Sequence, residues 1–454
     1  MARLDQTPKT VSINDLSHDG RGVARWPDGH AQAGKTVFVA GALPGETVVV
    51  QQTARSRHFD EAKTLEVLEA SSDRVAPRCP HFGICGGCVL QHLAEDRQIA
   101  YKQQVLLDNL QRIGHVTPAA VLPPLQGDSW GYRRKGRFSV RRVEKKDKTL
   151  VGFREQDPRF VADIGECHVV VPQLGFKVAA LGELVDGMDA RRDIPQIEFI
   201  TGDADTALVF RHLQPLSDAD KDRLAAFADA HAMHIFLQPG GIDSVHPLAG
   251  DPPQLAFRLP QWDIELQFRP LDFIQVNAKL NQAMIARALE LLDVQPGERV
   301  LDLFCGLGNF TLPLARASGD GAVVGVEGDA GLVQRARGNA AHNGLANVQF
   351  HAADLAKDLA GQGWLKAGSS TGTYDKLLLD PARSGAIEVL KQLPLKGIQR
   401  IVYVSCHPGS LARDAGYLVN ELGWSLREAG VMDMFPHTAH VESIAVFEPP
   451  KKKG

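Results

Sequence analysis

From about residue 271 the chain alternates short apolar, β-branched runs with helical patterns, and this alternation constrains the fold more than any other feature. Runs at 299–303, 323–327, 347–354, 376–380 and 401–406 read as successive strands of a doubly wound parallel sheet. Parallel neighbours need helical crossovers, and strands covered on both faces need continuous apolar runs. In such an open sheet, ligands bind outside the carboxyl ends of the strands. The last four runs end in Glu327, Asp354, Asp380 and Cys406, so each delivers a reactive or charged side chain to that edge.

The first run leads into Phe304-Cys305-Gly306-Leu307-Gly308-Asn309-Phe310-Thr311, a strand–glycine turn–helix pattern whose glycines let the backbone approach a ligand. A dinucleotide fingerprint would place a third glycine where Thr311 stands, which argues against an NAD(P)-linked oxidoreductase. Carboxylates ending the second and third strands, Glu327 and Asp354, suit ribose hydroxyls and a cationic head group. This block resembles the class I S-adenosylmethionine-dependent methyltransferases, with a Rossmann-like fold. Cys406 precedes a Pro-Gly turn, and Glu442 heads a further apolar run, Val441-Glu442-Ser443-Ile444-Ala445-Val446-Phe447.

Five blocks carry a closer resemblance. Phe273-Ile274-Gln275-Val276-Asn277, the 301–311 loop, Leu379-Asp380-Pro381-Ala382-Arg383, Val404-Ser405-Cys406-His407-Pro408 and His440-Val441-Glu442-Ser443 are similar, in order, to the RNA 5-methyluridine methyltransferases. The resemblance implies Cys406 as nucleophile, Glu442 as base, and Asp380 between cofactor and substrate. It implies S-adenosylmethionine contacts from Gln275, Phe304, Asn309, Glu327, Asp354 and Asp380. A uracil C5 is too weak a nucleophile to take a methyl group unaided, and thiolate addition at C6 overcomes this. His407 departs from the usual Asn, and a structural role is expected for it. The Asp-Pro-Ala-Arg form resembles the branch acting on large-subunit (23S) ribosomal RNA rather than transfer RNA. A non-catalytic RNA-binding assembly factor would have lost Cys406 or Glu442, and both are present.

The rest of the chain reads as all-β. Strand-like runs between residues 9 and 68, separated by Gly and Pro turns, predict an OB-like barrel of five short strands that resembles the TRAM domain. Cys79, Cys85 and Cys88 form C-x5-C-x2-C, and Cys167 follows much later. Four thiolates suit a four-iron four-sulfur (4Fe-4S) cluster ahead of a structural zinc. The resemblance to the ribosomal-RNA branch supports the cluster, in a structural or RNA-positioning role. A helix is expected over 93–115, at most to 124, with Ile99, Val105, Leu106, Leu110 and Ile113 on one face, free to pack on the catalytic domain. Residues 128–270 read as strand-rich. The expected division is therefore 1–70, a TRAM-like barrel; 71–270, a β-rich domain with the cluster; and 271–454, the methyltransferase domain.

Net charge is −4, so any RNA site must be a local patch. Residues 130–148 hold nine Lys/Arg against two Asp/Glu, and the candidate contacts there are Trp130, Tyr132, Arg133, Arg134, Lys135, Arg137 and Phe138. No apolar run approaches the ~18–20 residues of a membrane helix, and the start carries no apolar signal stretch. These readings predict a cytoplasmic monomer that acts on ribosomal RNA, with 451–454 a solvated end.

Overall fold

The computed structural model describes residue 4 and residues 7–366 and 374–450, so the expected solvated end lies outside them, as does most of the segment 1–6. The chain forms two compact units. Among the described residues no helix is long and apolar enough to cross a membrane.

The first unit comprises Met1–Val105, Phe153–Ala162 and Phe435–His440. It begins with a six-stranded sheet: Lys9–Ser12, Thr47–Arg55, Phe59–Glu69, Thr36–Ala40, Gly22–Arg25 and Asp15–Leu16, in spatial order. Alternation along these strands turns Val11, Val37, Val39, Val48 and Val50 onto one buried face with Trp26. Within that core the buried carboxylate of Asp60 accepts from the Trp26 indole (2.8 Å), the Gln52 amide (2.9 Å) and Lys35 (2.5 Å), which offsets its desolvation. Six strands form rather than five, because Gly20, at φ 81°, turns the chain back and pairs Asp15–Leu16 with Gly22–Arg25.

The cysteine segment follows with isolated bridges and turns only. Gly86 donates its amide to the Arg154 carbonyl (2.9 Å). A Cβ there would stand 2.8 Å from the Glu155 carbonyl oxygen, so glycine is what permits the loop to lie against Phe153–Ala162.

The helix Glu95–Arg112 is shorter than expected. Gly114, a left-handed His115 (φ 52°) and Pro118 end the pattern, and Ile113 is half exposed beyond it. Ile99, Leu106 and Leu110 are buried. Residues up to Val105 belong to the first unit, and Leu106 onward to the second.

The second unit holds a six-stranded mixed sheet and an eight-stranded sheet. The mixed sheet runs His246–Pro247, His234–Gln238, Thr206–Arg211, Gln196–Thr201, Lys135–Val143, Lys148–Gly152 in spatial order. The helices Val178–Asp186 and Asp218–His231, with the short Pro172–Gly175, interrupt the region read as strand-rich. Helix Asp218–His231 buries only Asp220, Leu224 and Phe227, too narrow a stripe for a clear 3.6-residue signal.

The eight-stranded sheet carries β1 (Arg299–Leu303), β2 (Ala322–Glu327), β3 (Val348–Ala352), β4 (Lys376–Leu379), β5 (Arg400–Ser405), β6 (Ser425–Met432) and β7 (Glu442–Glu448). Its order is β3-β2-β1-β4-β5-β7-β6, with Ala120–Val121 at the edge. The first five strands are parallel, and β7 runs antiparallel between β5 and β6. Helices α1 (Ala278–Leu292), α2 (Thr311–Ser318), α3 (Ala330–His342) and α4 (Pro408–Gly416) accompany it. The order reverses between β1 and β4, which makes the carboxyl ends of these two strands the topological switch point.

Candidate active site

A row of acids and one thiol runs along the carboxyl edge of the sheet. Glu327 ends β2, Asp302 lies in β1, Asp380 follows β4, and Cys406 follows β5. The row is completed from the opposite direction. β7 is antiparallel, and its register pairs Ser405 with Ser443, which puts Glu442 opposite Cys406. On its other side Glu442 pairs with Met432 of β6 and is 3% exposed.

Burial dominates the electrostatics of this row. It pushes the Asp302 carboxyl up to about 8, with a smaller push from Asp380 and Glu327 and an opposing hydrogen bond from Thr311. Burial, then the Glu327 charge, lifts Asp380 to about 7. Glu442 is driven well above the usual carboxylate range by burial and by Asp380. The Cys406 thiol rises to about 11 through burial, Glu442 and Asp380, and the exposed guanidinium of Arg383 pulls the other way. The Glu327 and Asp380 charges raise other acids of the row, so the edge stores proton affinity that a bound cation would relieve.

The glycine loop is bound tightly to this edge. Phe304 sits at φ 66°, an uncommon left-handed position for an aromatic residue, and its amide and that of Cys305 both donate to the Val326 carbonyl (2.8 and 3.1 Å). The Gly306 amide donates to Glu327 (3.1 Å), whose other oxygen accepts from the Asp329 amide (3.0 Å). Thr311 donates to Asp302 (2.6 Å), so the residue standing where a third glycine would be anchors the first strand's acid. The other carboxyl oxygen of Asp302 is buried with no hydrogen-bond partner. Asn309 exchanges two amide hydrogen bonds with Asn281 of α1 (3.0 and 2.9 Å). Asp354, two residues past β3, is exposed and closes its own turn to the Ala356 amide (3.1 Å) and Lys357 (3.1 Å), and these bonds lower its pKa.

The basic stretch divides between packing and surface. Phe138 is 0%, Arg134 3% and Tyr132 6% exposed, so these three sit in the interior. Arg134 stacks over Phe257 (4.3 Å), and its side chain donates to the Gln275 carbonyl (2.9 Å) while its amide donates to Val276 (2.9 Å). Burial lowers its pKa to about 10. Lys135 donates to the Leu271 (3.1 Å) and Asp272 carbonyls, and burial lowers it to about 8. These cations thus hold the segment that presents Gln275. Arg137 is exposed beside Glu198 (3.0 Å), and Trp130 and Arg133 are partly exposed.

Asn281 and Arg383 belong to the site and were not singled out from the sequence as site residues. Asn281 carried a signal, since it is an amide inside the apolar stripe Leu280, Met284, Ile285, Ala288 and Leu292. Arg383 ends the block Leu379-Asp380-Pro381-Ala382-Arg383, but only the fold sets its charge against Cys406.

His407 caps α4, and its Nδ1 accepts from the Ser410 amide (3.1 Å), which accounts for the structural role expected of it. Cys305 is buried in the cofactor loop, and its thiol is driven well up by burial. Among the described residues no group of three or more His, Cys, Asp or Glu is arranged to hold a metal ion. Cys79 and Cys85 are partly exposed, while Cys88 and Cys167 are buried.

The family model for tRNA (Uracil-5-)-methyltransferase matches residues 184–449. The chain belongs to this family. A TRAM domain model matches residues 7–63, in agreement with the six-stranded sheet at the amino-terminal end. Family relatives include the 23S rRNA (uracil(1939)-C(5))-methyltransferase RlmD of Xanthomonas campestris pv. campestris (strain 8004), 70% identical over 98% of each chain. The protein of the same description from Stenotrophomonas maltophilia (strain K279a) is 68% identical, again over 98% of each. Among solved structures, the Pyrococcus abyssi tRNA (uracil-54, C5)-methyltransferase in complex with S-adenosyl-L-homocysteine shares the fold. Its TM-score is 0.71 at 22% identity, covering 96% of this chain and 99% of that one.

Asp302 gives a test of the acid row. Its raised pKa keeps it protonated in the folded chain, whereas the unfolded carboxyl ionises near ~3.9. The folded state therefore binds more protons between those two values, and stability falls as pH rises through that window. In ligand-free protein, Asp302→Asn should raise the thermal midpoint above wild type at about pH 8, and the advantage should vanish by about pH 4. An unchanged pH dependence of the midpoint would contradict this reading.

Proposed function

We infer that the chain transfers a methyl group from S-adenosylmethionine to C5 of a specific uracil in 23S ribosomal RNA, through a covalent adduct of Cys406 with C6. The observation that carries this reading is the β5–β7 register, which sets Cys406 against Glu442 beside the acid row of a family methyltransferase domain. Ribosomal rather than transfer RNA is favoured because the relatives at 68–70% identity, matched over nearly their whole length, are named for 23S rRNA.

The steps follow from the groups present. The Cys406 thiol loses its proton to the carboxylates around it, of which Asp380, at about 7, titrates near neutrality. The Arg383 cation favours the thiolate that results. Sulfur then bonds to C6, and the electron pair of the C5–C6 double bond moves onto C5 and O4 as an enolate. S-adenosylmethionine supplies the methyl group and a positive sulfonium when bound. C5 takes the methyl carbon, and S-adenosylhomocysteine leaves. Glu442 as carboxylate removes the C5 proton, the C5–C6 double bond re-forms, and the C6–S bond breaks.

Gln275, Phe304, Asn309, Glu327 and Asp354 are the proposed cofactor contacts, with Asp380 between the two substrates. The acid row suits a sulfonium, and an uncharged cofactor would leave its mutual repulsion in place. Trp130, Arg133 and Arg137, with surface available, are the proposed RNA contacts of the basic stretch. Tyr132, Arg134, Lys135 and Phe138 support them from beneath. A target uracil in folded RNA would be flipped out of its stack to reach the thiol.

The domain division into a TRAM module (1–70), a central region (71–270) and a catalytic region (271–454) belongs to the same reading, as do a monomeric state and a cytoplasmic location. Cys79, Cys85, Cys88 and Cys167 are proposed to hold a 4Fe-4S cluster. Thiol donors and glycine-rich spacing support it. No step of the transfer runs through the cluster.

Two experiments test these readings. RNA carrying 5-fluorouridine at the target position blocks the final proton removal. With S-adenosylmethionine it should yield a stable enzyme–RNA adduct with wild type and none with Cys406→Ala. An adduct of Cys406→Ala, or none with wild type, would overturn the covalent mechanism. Anaerobically purified protein should contain about four iron and four sulfide per chain, lost together in Cys85→Ser. Zinc without sulfide would refute the cluster.

A further inference from the structure

We propose that His407 is a positioning residue for Cys406. It works as an uncharged hydrogen-bond acceptor that ties the nucleophile's turn to the first turn of α4. The inference rests on the covalent reading above.

Cys406 is the middle residue of a turn closed by its neighbours. The Ser405 hydroxyl accepts from the His407 amide (3.2 Å) and donates to the His407 carbonyl (3.1 Å). On the strand side, the Ser443 hydroxyl of β7 donates to the Ser405 carbonyl (3.1 Å), beside the register that faces Glu442 to Cys406. On the helix side, the Ser410 hydroxyl donates to the His407 carbonyl (3.0 Å), and the Ser410 amide donates to His407 Nδ1 (3.1 Å). Ser405, Ser443 and Ser410 are all buried. The thiol-bearing residue is therefore fixed from both flanks: to the strand of the proposed base on one side, to α4 on the other.

The ring's protonation state at Nδ1 follows from its partner. A backbone amide can only donate, so Nδ1 must present its lone pair, and in the neutral ring the proton then lies on Nε2. Histidine is not among the preferred helix-capping residues. Asparagine, aspartate and serine are preferred because each offers a short-range oxygen acceptor to the amides of the first turn. Here the imidazole nitrogen takes that place. His407 stands at φ −144°, ψ 102°, the extended conformation a capping residue adopts, with Pro408 at the start of the helix. What the position requires toward the Ser410 amide is an acceptor at that reach.

The test separates positioning from general stability. Adduct formation with 5-fluorouridine RNA reads the attack of sulfur on C6 without later steps. Its rate is normalised to the active fraction, measured as S-adenosylhomocysteine bound per chain. His407→Asn supplies an acceptor oxygen and should form adduct within about twofold of wild type. His407→Ala should slow it by at least about fivefold, with RNA affinity unchanged. A purely stabilising role would lower the active fraction in His407→Ala but leave the normalised rate alone, and that result would overturn the proposal. So would a His407→Asn variant as slow as His407→Ala. A wild-type protein that forms no adduct would instead defeat the covalent reading itself.

Discussion

The pairing of β7 with β5 is the constraint on which the rest depends. A parallel sheet delivers side chains to its carboxyl edge only from strands that end there. A strand inserted in the opposite direction begins at that edge, so its first residue can face the last residue of its neighbour. Ser405 opposite Ser443 sets that relation, and Cys406 and Glu442 follow from it. A slip of one residue would turn the alternating side chains of β7 to the wrong faces. β7 is buried almost throughout, so such a slip would also expose or misplace its apolar residues.

The electrostatics of the site come from crowding acids where water is scarce. Besides burial, Glu327 and Asp380 raise Asp302, Glu327 raises Asp380, Asp380 raises Glu442, and Glu442 and Asp380 raise Cys406, where the Arg383 cation acts the other way. A thiol held at about 11 is a poor nucleophile at rest. That protects it from stray chemistry and makes its activation depend on what occupies the site. The glycine loop, with Phe304 held in a left-handed conformation, brings backbone close to the same edge.

The parts of this arrangement legible in the sequence are the local ones. The five parallel strands read from apolar runs lie within a residue or two of those found, and the strand-end acids were visible as a pattern. The pairing of Cys406 with Glu442 was expected from the chemistry, which needs a base, and from resemblance, since a separation of thirty-six positions in sequence says nothing of register. The basic stretch misled in part. Arg134 and Lys135 look like phosphate contacts by composition, yet both donate to carbonyls of residues 271–276, more than a hundred positions away. Helix Asp218–His231 was missed because its buried stripe is narrow, and Asn281 because its partner Asn309 lies on another element.

Glu442, facing Cys406, is proposed to remove the C5 proton after methyl transfer. Incubating Glu442→Gln with ordinary target RNA and S-adenosylmethionine, then separating covalent from free RNA under denaturing conditions, tests it most directly. A covalent adduct whose uracil already carries the methyl group should accumulate. Normal turnover with no adduct would contradict it.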